Sequence, residues 1–180
     1  MMFEQDMQEI LFTEEQIKTR IREMAEEITR DYADSPPVVV GVLRGCFVFL
    51  ADLVRGIDLP IVIDFVSASS YGAGTVSSGD VKFKLDLSED IAGKDVLVVE
   101  DILDTGNTLS KLMNNLRRRG PKSVKLCVML DKPDRRTRPI QADYVGYTIP
   151  DAFVVGCGLD YDQRYRQLPY VGVLKPEVYE

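Results

Sequence analysis

Histidine is absent from this 180-residue sequence. Its absence removes Ser-His-Asp and Cys-His nucleophilic catalysis, and it argues against a structural or catalytic zinc site. Any general base must then be a carboxylate, a lysine, a tyrosine or water. Cysteine is scarce as well: Cys46, Cys127 and Cys157 are odd in number and widely spaced, which fits neither a disulfide framework nor a zinc cluster. They read as reduced, half-buried small residues. No apolar run reaches the length of a membrane span, and the N-terminal MMFEQDMQE is too acidic for a secretion signal, so a cytoplasmic protein that does not engage membranes is expected. Cations are in deficit, with 22 Lys and Arg against 29 Asp and Glu and a formal net charge of -7. That balance argues against a nucleic-acid partner.

What is present reads as a folded domain. Hydrophobic residues make up 45% and charged residues 28%, enough to build a full core, and residues 1–180 are expected to form one domain. Thr13-Glu14-Glu15-Gln16 is a capping box, and Ile17, Ile21, Met24, Ala25 and Ile28 follow at helical spacing to about Arg30. Val38 to Leu43 lacks alternation, which predicts a strand buried on both faces and hence a parallel sheet. It ends in Leu43-Arg44-Gly45, just before an apolar helical run from Phe47 to Val54. Open α/β sheets bind ligands at such strand ends, so Arg44 is expected to contact an anion.

Further along, Ile61, Ile63 and Phe65 alternate with Val62, Asp64 and Val66, and Val81, Phe83, Leu85 and Leu87 mark a third strand. The small-residue stretch between them, 67–80, is too long for a tight hairpin and suggests a functional loop. Leu109, Leu112, Met113 and Leu116 line a helix face. Arg117 to Arg119 suit that helix's negative end, and Gly120-Pro121 stop it. Val124 to Leu130 is a strand that runs into Asp131-Lys132, and strand patterns follow over 142–149, 153–158 and 170–174. The expected fold class is α/β, with a mainly parallel central sheet flanked by helices.

The stretch Val96 to Leu109, VLVVEDILDTGNTL, organises the rest. A short apolar run breaks into carboxylates, then into turn-forming and hydroxyl residues, then into a helical pattern: a buried strand, a loop and a helix start. Asp104, Thr105, Gly106, Asn107 and Thr108 supply free backbone amides, hydroxyl donors and a glycine that permits close approach, which is what a bound phosphate needs. Glu100 and Asp101 just upstream would repel that phosphate unless something intervenes. Ionised carboxylates only accept hydrogen bonds, so the pair suits the two hydroxyls of a ribose or a divalent cation such as Mg²⁺. The stretch therefore reads as a ribose 5-phosphate site.

VVVEDILDTGNTL resembles the phosphoribosyl pyrophosphate motif of the type I phosphoribosyltransferases, in which apolar residues precede two acids, two variable residues and Asp-Thr/Ser-Gly-x-Thr. The C-terminal stretch IPDAFVVGCGLDYDQRYRQLPYVGVLKPE is similar to the signature of the hypoxanthine (6-oxopurine) phosphoribosyltransferase family. The resemblance implies a core over about 30–150, a small base-binding hood made by the N-terminal and C-terminal segments, and a mobile loop at Ser70-Tyr71 that closes over the active site. It further implies that Leu43, Arg44, Gly45 and Arg166 bind pyrophosphate, with a cis peptide possible at Leu43-Arg44. Lys132 would donate to the purine 6-oxo group, Phe153 would stack on the base, and Val154, Leu159 and Asp160 would complete the purine site. Glu100, Asp101 and Asp160 would serve Mg²⁺, and Asp104 would act as the base at the purine imidazole nitrogen.

The substrates so implied are phosphoribosyl pyrophosphate and hypoxanthine, with guanine as a second acceptor, and the assembly a homo-oligomer, dimer or tetramer. Cys157 departs from the pattern, because related sequences commonly carry tyrosine there. That departure leaves the ranking of hypoxanthine against guanine open. Two other readings stand beside this one: a transferase for xanthine, adenine or a pyrimidine, and a regulatory protein that senses the sugar diphosphate while binding nucleic acid. Lys132 and Phe153 count against adenine and pyrimidines, and the net charge counts against the regulator.

Overall fold

The structure, a computed structural model, describes residues 3–69 and 82–179. In chain order the elements are β1 (Met7–Phe12), α1 (Glu14–Asp31), β2 (Val38–Val42), α2 (Phe47–Gly56), β3 (Val62–Ser69), β4 (Lys82–Leu85), β5 (Asp95–Leu103), α3 (Asn107–Arg117), β6 (Ser123–Asp131), β7 (Tyr144–Thr148), β8 (Val154–Val155), β9 (Val171–Leu174) and the one-turn α4 (Pro176–Tyr179). The larger sheet runs β4-β3-β2-β5-β6-β7 among the described residues. Its pairings are parallel except for β4, which closes one edge antiparallel to β3. The expected α/β class and parallel core are therefore present.

Why the central strands read as unbroken apolar runs follows from their two faces. Val39, Leu97 and Val99 pack with Ile21, Met24 and Ile28 of α1 and Phe49 and Leu53 of α2. Their alternates Val38, Val40, Val96 and Val98 pack with Leu109, Leu112, Met113 and Leu116 of α3. With helices on both sides, neither face can be polar. Each large apolar side chain so buried contributes about 1.5–3 kcal/mol. The capping box that starts α1 forms in full, Thr13 Oγ1 accepting from Gln16 N–H and Gln16 Oε1 accepting from Thr13 N–H at 2.9 Å.

Parallel pairing brings the carboxyl ends of β2, β5 and β6 to one edge, and it is there that Leu43-Arg44, Glu100 to Asp104 and Lys132 emerge.

Several expectations are corrected. The N-terminal segment forms β1, which the sequence reading left without a strand. It pairs antiparallel with β9 in a second sheet of order β1-β9-β8. Its acidic, irregular pattern and two register shifts hide the strand period. The predicted strand over 153–158 shrinks to two residues, because Gly156 and Gly158 take positive φ and the chain turns back. In β3 the inward residues are Asp64 and Val66, while Val62 and Ile63 are both exposed. Asp64 is tolerated inside because it accepts N–H bonds from Phe65, Ser88 and Glu89.

The cysteines are buried, not half-buried: Cys46 and Cys127 lie in the core at 0% exposure and Cys157 at 6%. Arg119 lies beyond α3 and spans to Asp86 at 2.8 Å, so it ties two segments together in addition to facing the helix end. Ser70 and Tyr71 lie outside the described residues. No helix among those described is long and apolar enough to cross a membrane.

Asp95 starts the central strand and is a buried polar anchor. Its carboxylate accepts from Ser123 Oγ, Ser35 Oγ at 2.6 Å and Lys122 Nζ at 2.9 Å. Burial pushes its pKa up, but these three partners outweigh it and hold the group at about 2, below the usual 3.8. A depressed folded-state pKa means stabilisation that is present above the unfolded pKa and lost as pH falls through the folded one. Urea unfolding should therefore show part of the stability disappearing between about pH 4 and pH 2. In Asp95→Ala that acid limb should flatten, with a loss of roughly 1–3 kcal/mol at pH 7 from the donors left unpaired. An unchanged limb in the variant would remove Asp95 as its source.

Candidate active site

The end of β5 converts a buried strand into a ligand edge within a few residues. Val96 to Val99 are fully buried, and the next side chains, Glu100 and Asp101, reach the floor of a cavity of about 320 Å³. Burial raises the Glu100 carboxyl well above its usual range, and the adjacent Asp101 adds to the rise. Burial raises Asp101 too, opposed by hydrogen bonds and by the charge of Arg166. Two carboxylates held in this way gain from any cation or hydroxyl pair that approaches them.

Beyond them, Gly106 adopts φ 79° and caps α3, with its carbonyl accepting from Ser110 N–H at 2.9 Å. Only glycine suits this turn without strain, and a Cβ would stand 2.6 Å from Ile140. Thr105 to Thr108 therefore line the cavity as a loop ending at the positive end of a helix.

The opposite wall comes from β2. The Leu43-Arg44 peptide is cis, as the resemblance allowed. Gly45 lies so close to β5 that a Cβ there would collide with the Asp101 carboxylate, and a Cβ on Gly158 would collide with the Gly45 carbonyl. The turn thus packs directly on the acidic pair, with the segment following β8 behind it.

Arg166 closes this wall. Its guanidinium pairs with Asp160 Oδ1 at 2.7 Å and donates to Gly158 O at 2.7 Å. Asp160 turns toward Arg166 and toward the Gln163 N–H at 2.8 Å. Glu100, Asp101 and Asp160, the metal set that the resemblance implies, all line this cavity, although among the described residues no three such side chains form a ready ligand cluster. Glu100 and Asp101 remain the adjacent pair.

A second cavity, of about 480 Å³, opens beside the first. Lys132, Phe153, Val154 and Leu159 line it, and Ile102 and Asp104 line both cavities. Lys132 is 7% exposed, donates from Nζ to Ala152 O at 2.9 Å and lies 3.6 Å from Asp151. Such burial of a lysine calls for polar partners, and two of its three donors remain for others. Asp104 Oδ1 is buried without a hydrogen-bond partner among the described residues, with Arg135 Nε at 3.6 Å. Cys157 is not among the residues lining this cavity. Its side chain belongs to the main core, its N–H donates to Leu168 O at 2.9 Å, and burial pushes its thiol up to about 11. The departure from tyrosine at this position therefore bears on the packing behind the cavity.

Two residues important to this geometry were not singled out from the sequence. Arg136 donates to Asp104 O at 2.8 Å, Leu103 O at 3.1 Å and Ile140 O at 2.7 Å, and it also pairs with Asp131. It fixes where the loop leaves β5. Gln163, held at φ 62°, accepts through one side-chain oxygen from Arg44 Nη1 at 2.9 Å and Arg166 Nη2 at 3.2 Å. A neutral acceptor gathers two guanidinium groups without cancelling their charge, an arrangement suited to a diphosphate. The only sequence signal for either was its nearness to a recognised stretch.

Gln163→Ala should weaken binding of inorganic pyrophosphate about five- to tenfold, equivalent to roughly 1–1.4 kcal/mol. Titration calorimetry would measure this, and an unchanged affinity would mean that the two arginines hold their places without it.

Comparison with known proteins agrees with this geometry. Residues 7–162 match the family described as the phosphoribosyl transferase domain. The chain is 50% identical over 179 residues to a hypoxanthine-guanine phosphoribosyltransferase of Bacillus subtilis, covering 99% of each. It is 54% identical to a hypoxanthine phosphoribosyltransferase of Salmonella typhimurium, over 91% of this chain and 93% of that one. Among solved structures, a hypoxanthine phosphoribosyltransferase from Staphylococcus aureus superposes with a TM-score of 0.95 at 47% identity, covering 100% of this chain and 98% of that one. The fold and about half of the residue identities are thus shared along almost the whole length with these enzymes, and the chain belongs to the phosphoribosyltransferase family, among the hypoxanthine phosphoribosyltransferases.

Proposed function

We propose that this chain transfers the 5-phosphoribosyl group from phosphoribosyl pyrophosphate to hypoxanthine, and also to guanine, forming the nucleoside monophosphate and pyrophosphate in purine salvage. The observation that carries the reading is the sharing of Ile102 and Asp104 by the two cavities. A sugar phosphate in one and a base in the other would meet at Asp104.

In this reading Thr105 to Thr108 hold the 5-phosphate on backbone amides and hydroxyls, and Glu100 and Asp101 receive the ribose hydroxyls. Arg44 and Arg166, with the backbone from Leu43 to Gly45, bind the diphosphate, whose negative charge grows as the bond to the anomeric carbon lengthens. Lys132 donates to the purine oxygen, Phe153 offers a stacking plane, and Val154 and Leu159 border the base, while Asp160, expected among them, lines the neighbouring cavity beside Arg166. Asp104 Oδ1, which accepts no hydrogen bond among the described residues and faces Arg135 only at 3.6 Å, accepts the proton from the imidazole nitrogen as the new bond forms. Mg²⁺ fits the oxygen donors Glu100 and Asp101, since that ion is commonly held by one or two carboxylates together with substrate oxygens. When bound it would neutralise charge on the leaving diphosphate. A homo-oligomer in the cytoplasm belongs to the same reading, as does closure of a loop carrying Ser70 and Tyr71 to exclude water.

The experiment is an assay of the purified protein with Mg²⁺ and phosphoribosyl pyrophosphate against hypoxanthine, guanine, xanthine, adenine and uracil. Turnover is expected with hypoxanthine and guanine and not with adenine or uracil. Absence of turnover with every base, alongside binding of the sugar diphosphate, would favour a regulatory protein instead. Asp104→Ala should lower kcat by about 10²- to 10⁴-fold with folding intact. A near-normal kcat in that variant would refute the proton-acceptor role, and a much smaller loss in Asp104→Asn would point to orientation of the base in place of proton transfer.

A further inference from the structure

Phe153 is 39% exposed, although one of its faces is already covered. Tyr179 stacks on it with ring centroids 4.7 Å apart and planes at 20°, and Tyr161 meets both rings edge-on, at 5.8 Å and 6.4 Å. Two rings in stacking contact admit no third ring between them, so a base can use only the remaining face of Phe153. That exposed remainder belongs to a residue lining the same cavity as Ile102, Lys132 and Leu159.

The backing ring is itself anchored. Tyr179 and Val178 pack, with Phe3 and Tyr161, against the buried cluster of Met7, Val155, Tyr165 and Leu174. Lys175 N–H donates to Asp6 O at 3.0 Å, which ties the entry to α4 to the N-terminal segment, and Val178 N–H donates to Lys175 O at 3.0 Å. Pro176 opens the turn with a fixed φ.

We propose that Tyr179 is a positioning residue for base recognition: carried by α4 to the wall of the cavity that it lines with Phe153, it stacks on one face of that ring and holds the ring ready for the purine. This rests on the reading of Phe153 as the purine-stacking residue. A side chain immobilised before the ligand arrives has less freedom to lose on binding, so its partner binds more tightly. The hood sheet then sets base affinity without contributing an atom to the reaction.

The test compares the unmodified chain with Tyr179→Ala and Tyr179→Phe. Steady-state KM for hypoxanthine and for phosphoribosyl pyrophosphate, kcat, and the Kd of IMP by titration calorimetry are the readouts. Tyr179→Ala should raise the hypoxanthine KM and the IMP Kd by about three- to tenfold, the scale of one lost aromatic pair. The sugar-diphosphate KM and kcat should stay within about twofold. Tyr179→Phe keeps the ring and should restore both base values.

An unmoved base KM in Tyr179→Ala overturns the proposal. So does a lowered one, which would mean that Tyr179 occupies the place of the base. A uniform fall in activity with a lower Tm would reduce the residue to a structural role and likewise overturn it. If the unmodified chain fails to use hypoxanthine, the purine reading itself falls, whereas normal turnover with unaltered variant constants removes only the buttress.

Discussion

The site depends on a single guanidinium. Arg136 reaches the carbonyls of Leu103, Asp104 and Ile140 and the Asp131 carboxylate, so it joins the carboxyl ends of the neighbouring strands β5 and β6 to the connection that follows them. Those carbonyls lie where the β ladder stops and need another donor, and a planar fork with five N–H groups can satisfy several at fixed angles. Its contacts set the direction in which the loop leaves β5 and hold the Asp104 backbone between the two cavities.

A second constraint is electrostatic. The chain carries a net charge of -7 but is read as binding a polyanion. Arg44 and Arg166 converge on the neutral Gln163, and only Arg166 also faces a carboxylate, Asp160. The buried pair Glu100 and Asp101 faces the same cavity, and burial raises both carboxyls above their usual range. A cation or a pair of hydroxyl donors brought to them would relieve that conflict. Other cations form surface pairs, such as Lys18 with Glu14, which stabilise little.

The smaller sheet borders the second cavity by a different kind of force. It joins the N-terminal β1 to β8 and β9 across most of the chain, and its apolar cluster ends in the aromatic group of Phe153, Tyr161 and Tyr179. Charge and hydrogen bonding organise the cavity of Glu100, Asp101 and Arg166, and ring packing organises the cavity of Lys132 and Phe153. Asp104 stands where the two meet.

Local chemistry made much of this legible in advance. The capping box of α1, the apolar runs of β2, β5 and β6, and the turn from Glu100 through Thr108 depend on neighbours within a few residues, and so the parallel sheet and the strand-loop-helix turn after β5 could be read from residue order. The resemblance supplied roles for Lys132, Phe153 and Arg166 that spacing could not. Long-range packing decided the rest. β1 forms because β9, more than 150 residues later, offers it hydrogen bonds that its own irregular pattern does not demand. Gln163, Arg136 and Tyr179 carry no local signature, since a glutamine, an arginine or a tyrosine gains a role only from what the fold brings against it. The resemblance gave Asp160 a part in holding the metal; in the fold it lines the same cavity as Glu100 and Asp101 and pairs there with Arg166, a contact between residues six apart that spacing alone does not announce.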